Sequence, residues 1–202
     1  QKIIQRNLEK KISIIAEIKK RSPSGGEIVK NFDILNIAKV FVDNGASFLS
    51  VLTEEDFFSG ELNNIKKIKN IHKIPVLCKD FFIDTYQISL AKSFGADCIL
   101  IILSAVDKIL AKDLYQAASD LNISTLIEVH TEEEAETALN FNDSLIGINN
   151  RNLKSLKISL DTSANLAKIL ASHKCPLISE SGINSIENIK FIVKNANIYN
   201  FL

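Results

Sequence analysis

The 202 residues are 46% hydrophobic and 24% charged, an ordinary balance for a globular protein with material for one sizeable core. Lys plus Arg and Asp plus Glu are equal at 24 each, so no net field favours nucleic acid or an anionic membrane. The longest apolar run, residues 98–103, is far short of the ~20 residues a membrane helix needs, and no secretory signal opens the chain.

In chain order, apolar runs at 12–18, 47–52, 75–79, 97–103, 124–129, 144–149, 175–180 and 198–202 predict strands. Most are continuous blocks rather than alternations, as parallel strands buried on both faces require. Amphipathic stretches between them predict helices. Residues 84–95 open with Asp84 and Gln87 at capping-box spacing and close on Gly95; Thr131 with Glu134, and Asn184 with Glu187, repeat that spacing. The strand starts recur at roughly 27 residues, near the ~30 of a complete eight-unit barrel. No linker or composition break divides residues 1–202, which predicts a single domain. Regular alternation fits a closed (β/α)8 TIM barrel or an open doubly wound sheet. No G-x-G-x-x-G or G-x-x-x-x-G-K-[ST] follows the first strand, so nucleotide-binding folds lose ground. The chain starts at Gln1 and stops inside the last apolar run, so the barrel is expected to be truncated within strand eight and short at the N-terminus.

Polar residues at strand ends separate the two architectures. Side chains alternate faces along a strand. Glu17 and Lys19 share a face with Ile15, Lys79 with Leu77 and Phe81, Glu128 with Leu126, Asn149 and Arg151 with Gly147, and Glu180 with Ile178. Any one of these alone is most simply a chain meeting solvent. The same pattern on predicted strands one, three, five, six and seven points to the shared mouth of a closed barrel. The segment 22–26, Ser-Pro-Ser-Gly-Gly, reads as a turn. In 179–183, Ser-Glu-Ser-Gly-Ile, the backbone N–H groups of Ser181 and Gly182 are placed to face an anion, which with Lys19 and Ser22 makes a phosphate cradle. His72, His130 and His173 have no metal-ligand spacing and read as ordinary histidines, with a peripheral role at the mouth open for His130. The acidic run 131–134 reads as a helix first turn and 65–70 as a solvated helix face. Cys78, Cys98 and Cys175 are odd in number, lack C-x-x-C spacing and lie in or beside apolar runs, which predicts buried reduced thiols and a cytoplasmic location.

The segments IIAEIKKRSPSGG, SVLTEEDFFSG, PVLCKDFFID, GADCILIIL, LIEVHTEEE, IGINNRNLK and ISESGI, in this order and spacing, resemble indole-3-glycerol phosphate synthase over nearly the whole chain. The resemblance implies a (β/α)8 barrel that converts 1-(2-carboxyphenylamino)-1-deoxyribulose 5-phosphate to indole-3-glycerol phosphate, carbon dioxide and water without cofactor or metal. It implies Lys79 as the general acid of ring closure and Glu128 as a general acid/base of dehydration. Glu17 and Lys19 match a catalytic carboxylate and a lysine near the phosphate and hydroxyls, and Asn149 and Glu180 match groups that orient the substrate. Ser22, Ser181 and Gly182 match the phosphate grip, with Phe58, Phe81 and Leu100 as the apolar wall around the anthranilate ring. The implied partner is this phosphorylated small molecule, with neither nucleic acid nor membrane; a monomer or weak oligomer, or one part of a multifunctional tryptophan-pathway chain, is expected. Family members carry more chain before strand one, with helices that help cover the substrate, and often Lys where Gly25 stands. Other readings are a sugar-phosphate isomerase, or a barrel that binds phosphorylated ligands without turnover.

Overall fold

The protein, seen in a computed structural model, is described over residues 2–23 and 25–202. Helix α1 (Lys2–Leu8) precedes β1 (Ser13–Ile18), and a hairpin of β2 (Arg21–Ser22) and β3 (Gly26–Glu27) follows it. Helices and strands then alternate: α2 (Ile34–Asp43), β4 (Phe48–Leu52), α3 (Asn63–Ile71), β5 (Val76–Lys79), α4 (Thr85–Ser93), β6 (Cys98–Ile102) and α5 (Lys108–Asp120). The series continues with β7 (Ser124–Val129), α6 (Glu132–Ala138), β8 (Leu145–Asn149), α7 (Asp161–Ile169), β9 (Leu177–Glu180), α8 (Ile186–Ala196) and β10 (Asn200–Phe201). Eight strands close a barrel in the order β1-β10-β9-β8-β7-β6-β5-β4. All eight predicted strands are present, and the open-sheet alternative falls. The β2–β3 hairpin was not predicted, although its strands flank part of the turn expected at 22–26; Ser24 lies outside the described residues.

Contacts group the chain into two compact units, one of Gln1–Ser13, Ile102–Asp107 and Leu126–Leu202, the other of Ile14–Ile101 and Lys108–Thr125. In the second unit, Leu49 and Val51 of β4 lie in register with Val76 and Cys78 of β5, and Cys78 with Ile99 of β6. This row is fully buried, as are Ala38, Ile65, Ile68, Ile88 and Ala91 of the helices. Each large aliphatic side chain so buried contributes about 1.5–3 kcal/mol. The capping box predicted for α4 forms, with Asp84 accepting from the Tyr86 N–H and Gln87 reaching back to the Asp84 N–H.

In the first unit, Arg6 Nε donates to Ser13 Oγ at 2.9 Å, and Asn200 Nδ2 donates to Asn7 Oδ1 at 2.9 Å. These bonds tie α1 to the first residues of β1 and β10, at the amino ends of the strands. A correction concerns α8, whose cap is Ser185, accepting from the Asn188 N–H, rather than Asn184. Thr131 does cap α6, accepting from the Glu134 N–H.

Candidate active site

In the second unit a group of candidate site residues lies at the end of β1. Register sets Glu17 beside Ser50 of β4 and Ser50 beside Leu77 of β5, two residues before Lys79. Parallel neighbours point the same way, so Glu17 and Lys79 meet. Lys79 Nζ lies 2.8 Å from Glu17 Oε2, and Lys19 Nζ lies 2.5 Å from Glu17 Oε1. One carboxylate therefore serves two ammonium groups, one per oxygen. Burial opposes ionisation of Glu17, but the charges of Lys79 and Lys19 outweigh it and bring the carboxyl down to about 2. Phe58 and Phe81 stand with ring centroids 6.4 Å apart, tilted by 50°. Glu54 holds the Phe58 loop by accepting from the N–H groups of Asp56, Phe57 and Phe58. Leu100 is buried on β6, while Phe81 falls beyond β5 and is 42% exposed. Ser22 is buried, and its Oγ accepts from the Gly25 N–H at 3.0 Å, so the hydroxyl already closes the hairpin turn.

The first unit holds the other carboxylates. Glu128 and Glu180 are 3% and 1% exposed. Asn149 Nδ2 donates to Glu128 Oε1 at 3.2 Å, and Asn149 Oδ1 accepts from the Arg151 N–H at 3.0 Å. Register places Glu180 beside Asn149 and Gly147 beside Glu128. The Glu180 side chain leans into the space that Gly147, lacking a Cβ, leaves open. The phosphate cradle needs one correction. The Ser181 N–H does not point at an open site but donates to the Leu202 carbonyl at 3.1 Å. The turn itself is left-handed at Ser181 (φ 67°) and Gly182 (φ 79°).

His130 is more than a peripheral residue. Its Nε2 lies 3.1 Å from Glu128 Oε1, an ion contact rather than a well-directed hydrogen bond. Its Nδ1 lies 3.2 Å from Glu134 Oε2, which also accepts from the His130 N–H at 2.7 Å. Burial disfavours the imidazolium, but the two carboxylates prevail and raise His130 to about 9. Glu134 is thus a partner for His130 as well as an acidic first-turn residue, a role that its spacing four residues after His130 would have suggested. The cysteines also depart from expectation: all three are free, but only Cys78 is buried, Cys98 and Cys175 being half-buried. No described helix is long and apolar enough to cross a membrane.

Comparison with known proteins adds the family. A family model described as indole-3-glycerol phosphate synthase matches residues 1–202. The indole-3-glycerol phosphate synthase of Legionella pneumophila (strain Lens) is 45% identical over 180 residues, which cover 89% of this chain and 69% of that protein. That of Carboxydothermus hydrogenoformans is 40% identical over 193 residues, covering 96% of this chain and 73% of the relative. Among solved structures, 3-keto-L-gulonate-6-phosphate decarboxylase from Vibrio cholerae aligns with a TM-score of 0.69 at 14% identity, covering 95% of this chain and 87% of the other, a likeness of fold alone.

Proposed function

The chain belongs to the indole-3-glycerol phosphate synthase family, and we infer from that premise how its residues divide the work. The reaction is that of a carbon–carbon lyase of tryptophan biosynthesis. It closes the pyrrole ring of 1-(2-carboxyphenylamino)-1-deoxyribulose 5-phosphate and releases carbon dioxide and water. The observation that carries our assignment of roles is Glu17 ion-paired to Lys79 and Lys19.

Ring closure forms a bond between the aromatic carbon that bears the carboxylate and the ketone carbon. The ketone oxygen gains negative charge, and a cation aimed at it lowers the barrier. Lys79 is that cation and delivers the proton; Glu17, 2.8 Å from its ammonium, fixes its direction. The carboxylate then leaves as carbon dioxide and its electron pair restores the aromatic ring. Dehydration takes a proton to the departing hydroxyl and removes another from the new ring, so it needs an acid and a base together. Glu128 fills one of these roles. Asn149 holds the Glu128 carboxylate by its amide, and Glu180 orients the substrate hydroxyls. Lys19 and Ser22 in the second unit, and the Ser181–Gly182 turn in the first, each match a phosphate contact of the family. With the Ser181 N–H engaged elsewhere, its hydroxyl and the Gly182 N–H supply that turn's contacts. Phe58, Phe81 and Leu100 flank the anthranilate ring.

Residues 1–202 act in this reading as one barrel domain, in the cytoplasm, as a monomer or weak oligomer or as one part of a multifunctional chain. Turnover followed by indole fluorescence tests it. The protein forms product, and Lys79→Ala loses about 10²–10⁴ in kcat, the range for a positioned acid. A Lys79→Ala variant that keeps parental kcat overturns the assignment.

A further inference from the structure

The dipeptide Asn149-Asn150 splits its side chains between two faces of β8 and its exit. Asn149 turns to Glu128, whereas Asn150 is 2% exposed and turns away from any substrate. Every hydrogen-bonding position of the Asn150 amide is used. Nδ2 donates to Ser179 Oγ at 2.9 Å and to the Ser181 carbonyl at 3.1 Å. Oδ1 accepts from the Ser163 N–H at 3.1 Å and from Ser163 Oγ at 2.9 Å. Ser163 Oγ and Ser179 Oγ are themselves 2.7 Å apart. The Asn150 backbone N–H adds a bond to the Glu180 carbonyl at 2.9 Å. One residue thus grips two consecutive carbonyls, those of Glu180 and Ser181, and ties them to the first turn of α7.

The gripped segment needs holding. Ser181 is a non-glycine residue in the left-handed region, a conformation that costs on the order of 1–3 kcal/mol and persists only where its surroundings enforce it. Gly182 follows in the same region, and a Cβ there would stand 2.5 Å from Ile158 Cγ2. We infer that Asn150 is a positioning residue: it holds the Glu180–Ser181–Gly182 turn in the shape that presents Glu180 and the phosphate contacts to the substrate. The consequence for substrate rests on the functional reading above; the hold on the turn does not.

Asn150→Asp separates the two. It preserves size and both acceptor positions toward Ser163 but turns the contact with the Ser181 carbonyl from donor-to-acceptor into oxygen against oxygen. Ser163→Ala is the comparison, since it loses buried hydrogen bonds of the same network while leaving Asn150 bonded to Ser181. Asn150→Ala serves if the aspartate variant does not fold. The measurements are Tm, hydrogen exchange of the Ser181 amide, kcat and KM, and the inhibition constant of inorganic phosphate.

Asn150→Asp should speed exchange at Ser181 at least ten-fold and raise KM and the phosphate inhibition constant about ten-fold, with a smaller change in kcat. Ser163→Ala should lower Tm and leave exchange at Ser181 and the phosphate constant near parental values. Parental exchange at Ser181 in the Asn150 variants, or equal effects from Ser163→Ala, overturns the positioning role. Faster exchange with unchanged phosphate inhibition upholds the grip on the turn and removes the phosphate from it, so the failure falls on the functional reading.

Discussion

Gly147→Ala tests the packing of the site with a single methyl group. Gly147 lies on β8 with φ outside the left-handed region, so its backbone suits alanine. By that criterion the change would stabilise by about 0.4–1 kcal/mol, through a less flexible unfolded chain. The surroundings reverse the sign. A Cβ at this position falls on Glu180 Oε1, 3.0 Å from Glu180 Cδ and 3.3 Å from Leu126 Cδ1. Glu180 is 1% exposed, so its carboxylate cannot move aside into water without leaving its seat. Overpacking of this kind costs about 1–3 kcal/mol. At ~2–4 °C per kcal/mol for a chain of this size, Tm falls by about 2–12 °C. The obstructing atoms end a flexible side chain rather than belonging to the backbone, so the barrel persists and the carboxylate yields. On the proposed role of Glu180 in orienting the substrate, its displacement lowers kcat/KM about 10²–10³-fold, the usual cost of losing one preorganised polar group. Thermal unfolding and indole fluorescence kinetics on Gly147→Ala, Glu180→Ala and the double variant make the assay. The double variant loses the clash with Glu180 and keeps only the 3.3 Å approach to Leu126 Cδ1, so its Tm is close to that of Glu180→Ala and its activity equals that variant's, a non-additive pattern. A raised Tm with parental kcat/KM in Gly147→Ala would refute the placement of Glu180 over Gly147.

The Glu17 cluster predicts acid sensitivity. Its carboxyl sits at about 2 in the folded protein against 4.5 ordinarily, so its contribution, roughly 1–3 kcal/mol, is complete above pH 4.5 and lost as pH falls toward 2. Urea midpoints of Glu17→Gln should decline less steeply than those of the parent across that window; parallel declines would remove the ion pair from the account. His130 acts in the opposite direction. Raised from 6.5 to about 9, it stabilises below pH 6.5 and loses that contribution as pH rises through 9, so the advantage of the parent over His130→Asn should shrink between those values. A constant difference would mean that the imidazole is neutral throughout. Burial pushes the Cys78 thiol up to about 12, so at pH 8 iodoacetamide should modify Cys98 and Cys175 while Cys78 reacts only on unfolding. Peptide mass analysis showing early labelling of Cys78 would contradict its burial.

Strand order and the face of each polar residue were legible in the chain itself. Continuous apolar runs mark strands buried on both sides, and a period of two puts Glu17 with Ile15, Lys79 with Leu77, Glu128 with Leu126, Asn149 with Gly147 and Glu180 with Ile178, each on one face of its own strand. Family-specific segments added the substrate and the chemistry, which periodicity alone does not carry. The cap of α8 slipped by one residue because Asn184 and Ser185 are both competent caps and only the path of the chain after β9 chooses between them. What tertiary structure alone decided are contacts between residues distant along the chain. Gly147 is 33 positions before the carboxylate that fills its missing side chain. Asn150 reads as a second polar residue after a strand until α7 and the exit of β9 arrive to use all of its amide. The Ser181 N–H looked free because nothing local accepts from it; its acceptor, Leu202, comes with the neighbouring strand. Side-chain direction within a strand is a local steric property and is written in sequence, whereas the partner waiting in that direction is set by how strands far apart in the chain come to lie in register.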